Sequence, residues 1–358
     1  MNKIIWISAA VLSVAACAKN EVIPVNSGEN QEITFNVAPK TKAEDAHHHT
    51  EFGKDKVFAS WAYYLPEGST WNANSADAKE YISRATISYN TTEKVWKAKD
   101  KTYYWPKNGT LTFFAYSLYK DNLTLAAGTG FTCDPGAGIT GHIDLNENHN
   151  TDFLVADIAQ DMKSNDNVHF TNGVPTLFKH RLSSVAFAIK TGAVYTNKKF
   201  ELTNITFHKL SHYGTYAQLP TESFVAGDTK YDPVFTSALQ EIPYQTNFVD
   251  VTGVDKYIFI PQTFADDATI DVVYTITTKV PKSDDVVETV TKTIKLKELF
   301  PTKYDKSEPR KVIGGGWEMG KKYTINLTFT LDEILWDPAV QDWEDVKIGT
   351  DTEPIIVG

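Results

Sequence analysis

The chain has 358 residues, of which 42% are apolar and 12% aromatic, enough material for more than one buried core, and its length favours two domains over one. A formal charge of −10 argues against nucleic acid or any acidic surface as a partner, and its simplest use is solubility. With only two cysteines, Cys17 and Cys133, no disulfide framework is available.

Lys3 supplies a short positive region and Ile4 to Ala15 an apolar run with the length of a signal-peptide core, too short to span a membrane. The run ends in Val14-Ala15-Ala16-Cys17, which resembles the lipobox of bacterial lipoproteins. On that reading residues 1–16 are a leader and Cys17 carries the lipid, with two or more acyl chains for stable anchoring. Cys133 is then left alone, so stability must come from the core. Residues 17–30 are polar, include Pro24 and Gly28, and read as a flexible tether.

From Gln31 to Val37 the pattern has period two, with Ile33, Phe35 and Val37 alternating with Glu32, Thr34 and Asn36, as in a half-buried strand. An exposed loop from Pro39 to Phe52 follows, containing Lys40, Lys42 and His47-His48-His49. Strands are expected at Val57 to Leu65, Thr110 to Ser117, Ser184 to Lys190 and Lys256 to Ile260, all rich in β-branched or aromatic residues. Thr269 to Thr278 and Val286 to Leu296 read as a hairpin around Pro281-Lys282-Ser283-Asp284-Asp285. In Lys322 to Leu331 the residues Tyr323, Ile325, Leu327, Phe329 and Leu331 share one face, which should be buried. Helical periodicity is nearly absent, so the expected fold class is all-β, built from packed sheets as sandwiches or barrels. The domain boundary is expected near Pro220, giving an N-terminal domain over 31–220 and a C-terminal domain over 221–358.

Several segments together resemble the fimbrillin family of Bacteroidales, the lipoprotein subunits of type V pili. They are Tyr103-Tyr104-Trp105-Pro106 with Leu111-Thr112-Phe113-Phe114-Ala115-Tyr116-Ser117, then Asp152-Phe153-Leu154-Val155-Ala156 and Leu177-Phe178-Lys179-His180-Arg181-Leu182-Ser183. The second half adds Phe259-Ile260-Pro261-Gln262, Trp317-Glu318-Met319-Gly320-Lys321-Lys322-Tyr323 and Val340-Gln341-Asp342-Trp343. The resemblance implies two transthyretin-like β-sandwich domains in tandem. It also implies assembly by proteolysis and strand exchange: the precursor is cut after its first strand, that strand leaves, and the groove accepts an extended segment of another subunit. Donor and acceptor then lie on different surfaces, so copies add into a filament.

In this chain the leaving strand is Gln31 to Val37. Family members processed in this way usually offer arginine, whereas here the candidate processing residues are Lys40, Lys42 and Lys54, and the nearest arginine, Arg84, lies in a segment that itself reads as strand. The alternatives are a lysine-accepting protease or an uncleaved anchor-type subunit. The candidate donor is the arm 339–358, punctuated by Val340, Trp343, Val346, Ile348, Ile355, Ile356 and Val357; the other reading makes it the last strands of its own domain.

Other constellations carry less. Three adjacent histidines cannot all converge on one metal, and the calcium-loop start at Asp144, Asn146 and Asn148 has His149 where glycine is needed and Val155 where glutamate is needed. Cys133 has no evident base, and His180 with Arg181 reads as a satisfied polar pair at a sheet edge. Trp61, Tyr63, Tyr64, Trp71, Tyr103, Tyr104 and Trp105 could form sugar-stacking platforms, but aromatic residues in strands are more often core. No nucleophile elbow, zincin helix, Walker loop or dinucleotide fingerprint occurs. The reading is therefore a fimbrial subunit at the cell surface that supports adhesion or biofilm formation, anchored in the outer membrane through the lipid on Cys17, with other subunits and host or bacterial surface glycans or proteins as partners and no catalysis, cofactor, metal or nucleic acid. The rival is a monomeric glycan-binding surface lipoprotein.

Overall fold

The computed structural model describes residues 23, 32–37, 52–119, 130–145, 151–163, 173–251, 257–300, 303–304, 312–313, 315–342 and 355–356. Cys17, Lys40, Lys42, His47–His49, Asn146, Asn148, Trp343, Val346, Ile348 and Val357 lie outside them. Among the described residues no helix is long and apolar enough to cross a membrane. The fold is all-β, and among the described residues the α-helices are single turns at Trp71–Asn74 and Leu296–Leu299.

Val57–Leu65, Lys79–Asn90, Thr110–Tyr119 and Asp152–Ala156 form the centre of a nine-stranded sheet. Its order is Val174–Pro175, Thr34–Asn36, Val95–Ala98, Lys79–Asn90, Val57–Leu65, Thr110–Tyr119, Asp152–Ala156 and Phe178–His180, with Ala159–Met162 also on Thr110–Tyr119. The end strands Val174–Pro175 and Phe178–His180 are separated in the chain by Thr176 and Leu177 alone. So short a link reaches no more than about 3.6 Å per residue, so the sheet must curl until its edges approach. Both faces of the sheet are consequently covered. Phe58 and Ala62 point into the curl with Ile87, Leu111 and Phe113. Ala59, Trp61, Tyr63 and Leu65 point the other way, with Phe114, Tyr116 and Phe153. A four-stranded sheet of Ser223–Ala226, Tyr213–Ala217, Gly138–Asp144 and Thr132–Asp134 supplies Ile139, Ile143 and Tyr216 to this outer cluster.

The second pair of sheets is simpler. Ser183–Thr191 lies parallel to Lys321–Phe329, which turns back antiparallel into Ile334–Asp342. Facing it is a four-stranded sheet in the order Val234–Glu241, Lys198–His208, Thr269–Thr278 and Val286–Lys295. The cluster between them draws on alternate residues, Val185, Phe187 and Ile189 from one side and Ile270, Val272, Tyr274 and Ile276 from the other. Tyr323, Ile325, Leu327 and Phe329 are buried as their spacing requires, but Leu331 is exposed. The reason is local: the Thr330 hydroxyl donates to the Glu333 carbonyl at 2.8 Å and accepts from the Glu333 amide at 3.0 Å, which turns the chain before Leu331 can join the strand.

The boundary expected near Pro220 falls inside a hairpin, because Tyr213–Ala217 pairs with both Ser223–Ala226 and Gly138–Asp144. The chain has already entered the other sheet system at Ser183. The ranges 31–220 and 221–358 therefore do not separate the sheets. Hydrophobic alternation marks strands, and it carries no information about which sheet a strand joins.

Candidate assembly site at the first strand

The alternation of Ile33, Phe35 and Val37 with polar neighbours gives a short strand at Thr34–Asn36, wedged between two others. On one side Thr34 and Phe35 pair antiparallel with Lys97 and Trp96; on the other Phe35 and Asn36 pair parallel with Val174 and Pro175. The Ile33 amide donates to the Tyr103 carbonyl at 2.8 Å, and the Thr176 amide donates to the Asn36 carbonyl at 2.9 Å. Ile33 and Phe35 are almost wholly buried, at 2% and 4% exposure, so the strand plugs the interior of the curl. The Phe35 ring meets Phe58 and Phe113 edge-on at 5.5 and 5.8 Å. At the rim, Lys97 Nζ stands 3.5 Å from Glu32.

Glycine is required where the strand meets Val174–Pro175. Gly173 has φ +81°, and a Cβ there would sit 2.9 Å from backbone atoms of Thr34 and Phe35. Gly173→Ala should therefore loosen this strand selectively, by roughly 1–3 kcal/mol. Hydrogen exchange checks it: the Thr34–Asn36 amides should exchange faster, while those of Thr269–Thr278 keep their protection.

The two described ends of the first connection lie on the same cluster. Val37 packs against it, and Phe52 stacks on Phe178 at 4.9 Å while meeting Trp96 at 5.4 Å. Lys54 is exposed in the turn that follows, with its ammonium 4.9 Å from the centre of the Tyr89 ring. Arg84 lies in Lys79–Asn90 as the sequence indicates, and its guanidinium donates to the Tyr116 hydroxyl at 3.0 Å. Its φ of +39° falls between irregular registers of the sheet, a feature with no sequence signal.

At the other end of the chain, Val340 belongs to Ile334–Asp342 and pairs with Tyr323. Ile355 and Ile356 pair with Trp336 and Leu335 and so extend the edge of the same sheet. These pairings are all intramolecular.

The remaining candidates resolve into structural roles. Trp61, Tyr63, Trp71 and Trp105 are buried, Tyr64 and Tyr103 are partly so, and only Tyr104 among the seven aromatic residues is exposed. His180 Nδ1 pairs with Asp152, and Arg181 Nε donates to Glu222 Oε1 at 2.5 Å, in and beside the sheet's edge strand Phe178–His180. Asp144 accepts His212 Nδ1 at 2.7 Å rather than facing a cation site. Among the described residues no cluster of His, Cys, Asp or Glu could hold a metal. Burial pushes the Cys133 thiol well above its ordinary range, the opposite of what an activated nucleophile needs. The residues that sequence reasoning missed are Trp96, Val174 and Gly173, which hold the first strand. Their signal lies in long-range pairing that no local pattern reveals.

No curated protein matches the sequence. Among solved structures, a fimbrial protein from Bacteroides vulgatus superposes with a TM-score of 0.62 at 16% identity, covering 88% of this chain and 100% of that one. Proposed cell-adhesion proteins from Bacteroides uniformis and Bacteroides ovatus give TM-scores of 0.47 at 15% and 16% identity, covering 87% and 88% of this chain and 99% and 98% of theirs. The first of these likenesses shows a shared fold. A fimbrillin-like family model matches residues 60–343, most of the chain. Proteins of this kind are structural and adhesive, not enzymes. The chain belongs to the fimbrillin-like family.

Proposed function

We propose that the chain is a structural subunit of a cell-surface fimbria, exported as an outer-membrane lipoprotein through Cys17 and assembled by removing its first strand and replacing it with a segment of another subunit. Family membership supports the fimbrial role. The observation that carries the assembly step is the strand Thr34–Asn36, short, internal to a sheet and joined to the rest through residues 38–51.

The energetics favour a replaceable plug. Burying Ile33 and Phe35 contributes roughly 3–6 kcal/mol and half-burying Val37 about 1 more, and the backbone hydrogen bonds add about 1 kcal/mol each. Ordering Glu32 to Val37 costs about 1–2 kcal/mol per residue. The gain exceeds the cost by only a few kcal/mol, so the tether adds materially to what holds the strand. Cutting the tether at Lys40, Lys42 or Lys54 releases it and exposes Phe58, Phe113 and Trp96 beside unpaired backbone. The donor is the arm 339–358, and Ile355, Ile356 and Val357 offer apolar side chains to such a groove. Adhesion or biofilm formation is the expected output. A glycan-binding monomer is not favoured, because the tryptophans that would form its shelf are buried.

Mass spectrometry of protein extracted from the cell surface tests this reading. An N-terminus between Ala38 and Asp55 is the expected result. An acylated Cys17 retained on all the surface material overturns the processing step.

A further inference from the structure

The strand Val286–Lys295 is the outermost of its sheet and, among the described residues, pairs only with Thr269–Thr278. It is long for an unpartnered edge, and two of its apolar residues stay out of the core, Val286 and Val287 being 58% and 61% exposed, while Val290 is half-buried and Ile294 is buried. Edges of this kind are usually blunted by proline, a bulge or charged side chains. This one has no proline, and its pairing with Thr269–Thr278 is continuous along its whole length. Its core-facing side carries two charges of opposite sign, Glu288 opposite Ile276 and Lys292 opposite Val272.

The order of residues is symmetric about Val290. Counting outward, Thr289 mirrors Thr291, Glu288 is matched by the opposite charge of Lys292, and Val286 mirrors Ile294, with Val287 and Thr293 the pair that differs. We infer that this edge docks a second copy of the same chain, the two Val286–Lys295 strands pairing antiparallel about a two-fold axis through Val290. A two-fold axis perpendicular to the sheet keeps each side chain on its own face, so only registers shifting by two residues are allowed. Of these, the register centred on Val290 alone sets each Glu288 opposite a Lys292 of the other copy. It also sets Val286 against Ile294, Val290 against itself and Thr289 against Thr291, all favourable cross-strand pairs. Shifting by one step places both charges against aliphatic residues. Lys292 Nζ already donates to the Asp332 carbonyl at 3.0 Å, and an ammonium has two further donors for the opposing carboxylate. Such a contact is isologous and closes on itself, so it pairs chains side by side and cannot by itself extend a filament. It also requires no strand removal, and so stands apart from the assembly reading above.

Sedimentation equilibrium of the untrimmed chain tests the inference. The wild-type chain should dimerise reversibly. Glu288→Lys alone and Lys292→Glu alone each place like charges opposite one another twice per dimer, and each should weaken dimerisation on the order of tenfold or more. The double exchange restores complementarity and should recover dimerisation to near the wild-type level. A wild-type chain that stays monomeric, or a double exchange as weak as the singles, overturns the inference. Should the charge variants fold poorly, oxidation of Val290→Cys and Val286→Cys decides it: a disulfide-linked dimer from Val290→Cys only is expected, and equal yields from both contradict the two-fold register.

Discussion

Phe35→Ala should lower the stability of the first sheet by about 3–5 kcal/mol, the largest effect expected from any single truncation outside the central strands. The ring fills the interior of the curl between Phe58 and Phe113, and Phe35 is the residue paired on both sides, to Trp96 and to Val174. Neighbouring strands cannot collapse into the vacated space without abandoning those pairings, so most of the cavity should persist. Urea unfolding followed by tryptophan fluorescence reads the change. Trp61, Trp71, Trp96 and Trp105 report on this sheet, while Trp317 and Trp336 belong to the other cluster. The loss should appear in the first group. A mutant as stable as the wild type would mean that Phe35 is not part of a plug.

Deleting 343–358 should abolish polymerisation and leave the monomer almost as stable as before. Removing the whole arm from Ala339 is a poorer experiment, because it strips the pairs from Thr324↔Ala339 to Lys321↔Asp342 and so damages the home sheet. The narrower deletion keeps Ile334–Asp342 intact. Among the described pairings it removes Leu335↔Ile356 and Trp336↔Ile355, two pairs at an edge, a cost of about 1–2 kcal/mol. An arm held at home by so little is free to transfer. Trimmed protein with this deletion should show polymer reduced at least a hundredfold by sedimentation velocity, with a melting temperature within a few degrees of the parent. Unchanged polymer would remove the arm as donor.

How much of this was legible in the chain depended on whether the relevant contact is local. Val57–Leu65 and Thr269–Thr278 begin and end where their residue patterns do, because a strand's identity is set by its own side chains and the turns that bound it. Lys321–Phe329 has the expected buried face and stops short only because Thr330 caps a turn. The parallel match of Ser183–Thr191 to Lys321–Phe329 was not legible, since pairing partners far apart in sequence leave no periodic trace. The same holds for the return of Tyr213–Ala217 to Gly138–Asp144, which defeats a single boundary near Pro220. At the site, Ile33 and Phe35 announced a half-buried strand, and the two-sided burial of Val57–Leu65 explains why its aromatic residues are core and not a shelf. The groove around the first strand is made by Trp96, Val174 and Gly173, and only the assembled sheet shows that they meet.

The replaceable first strand is tested most directly by trimming the purified protein between Ala38 and Phe52 with a lysine-specific protease and following its mass by sedimentation velocity. The fragment bearing Phe35 should leave, and the remainder should grow into polymer. A trimmed chain that keeps that fragment bound, or that loses it and stays monomeric, would contradict assembly by strand replacement.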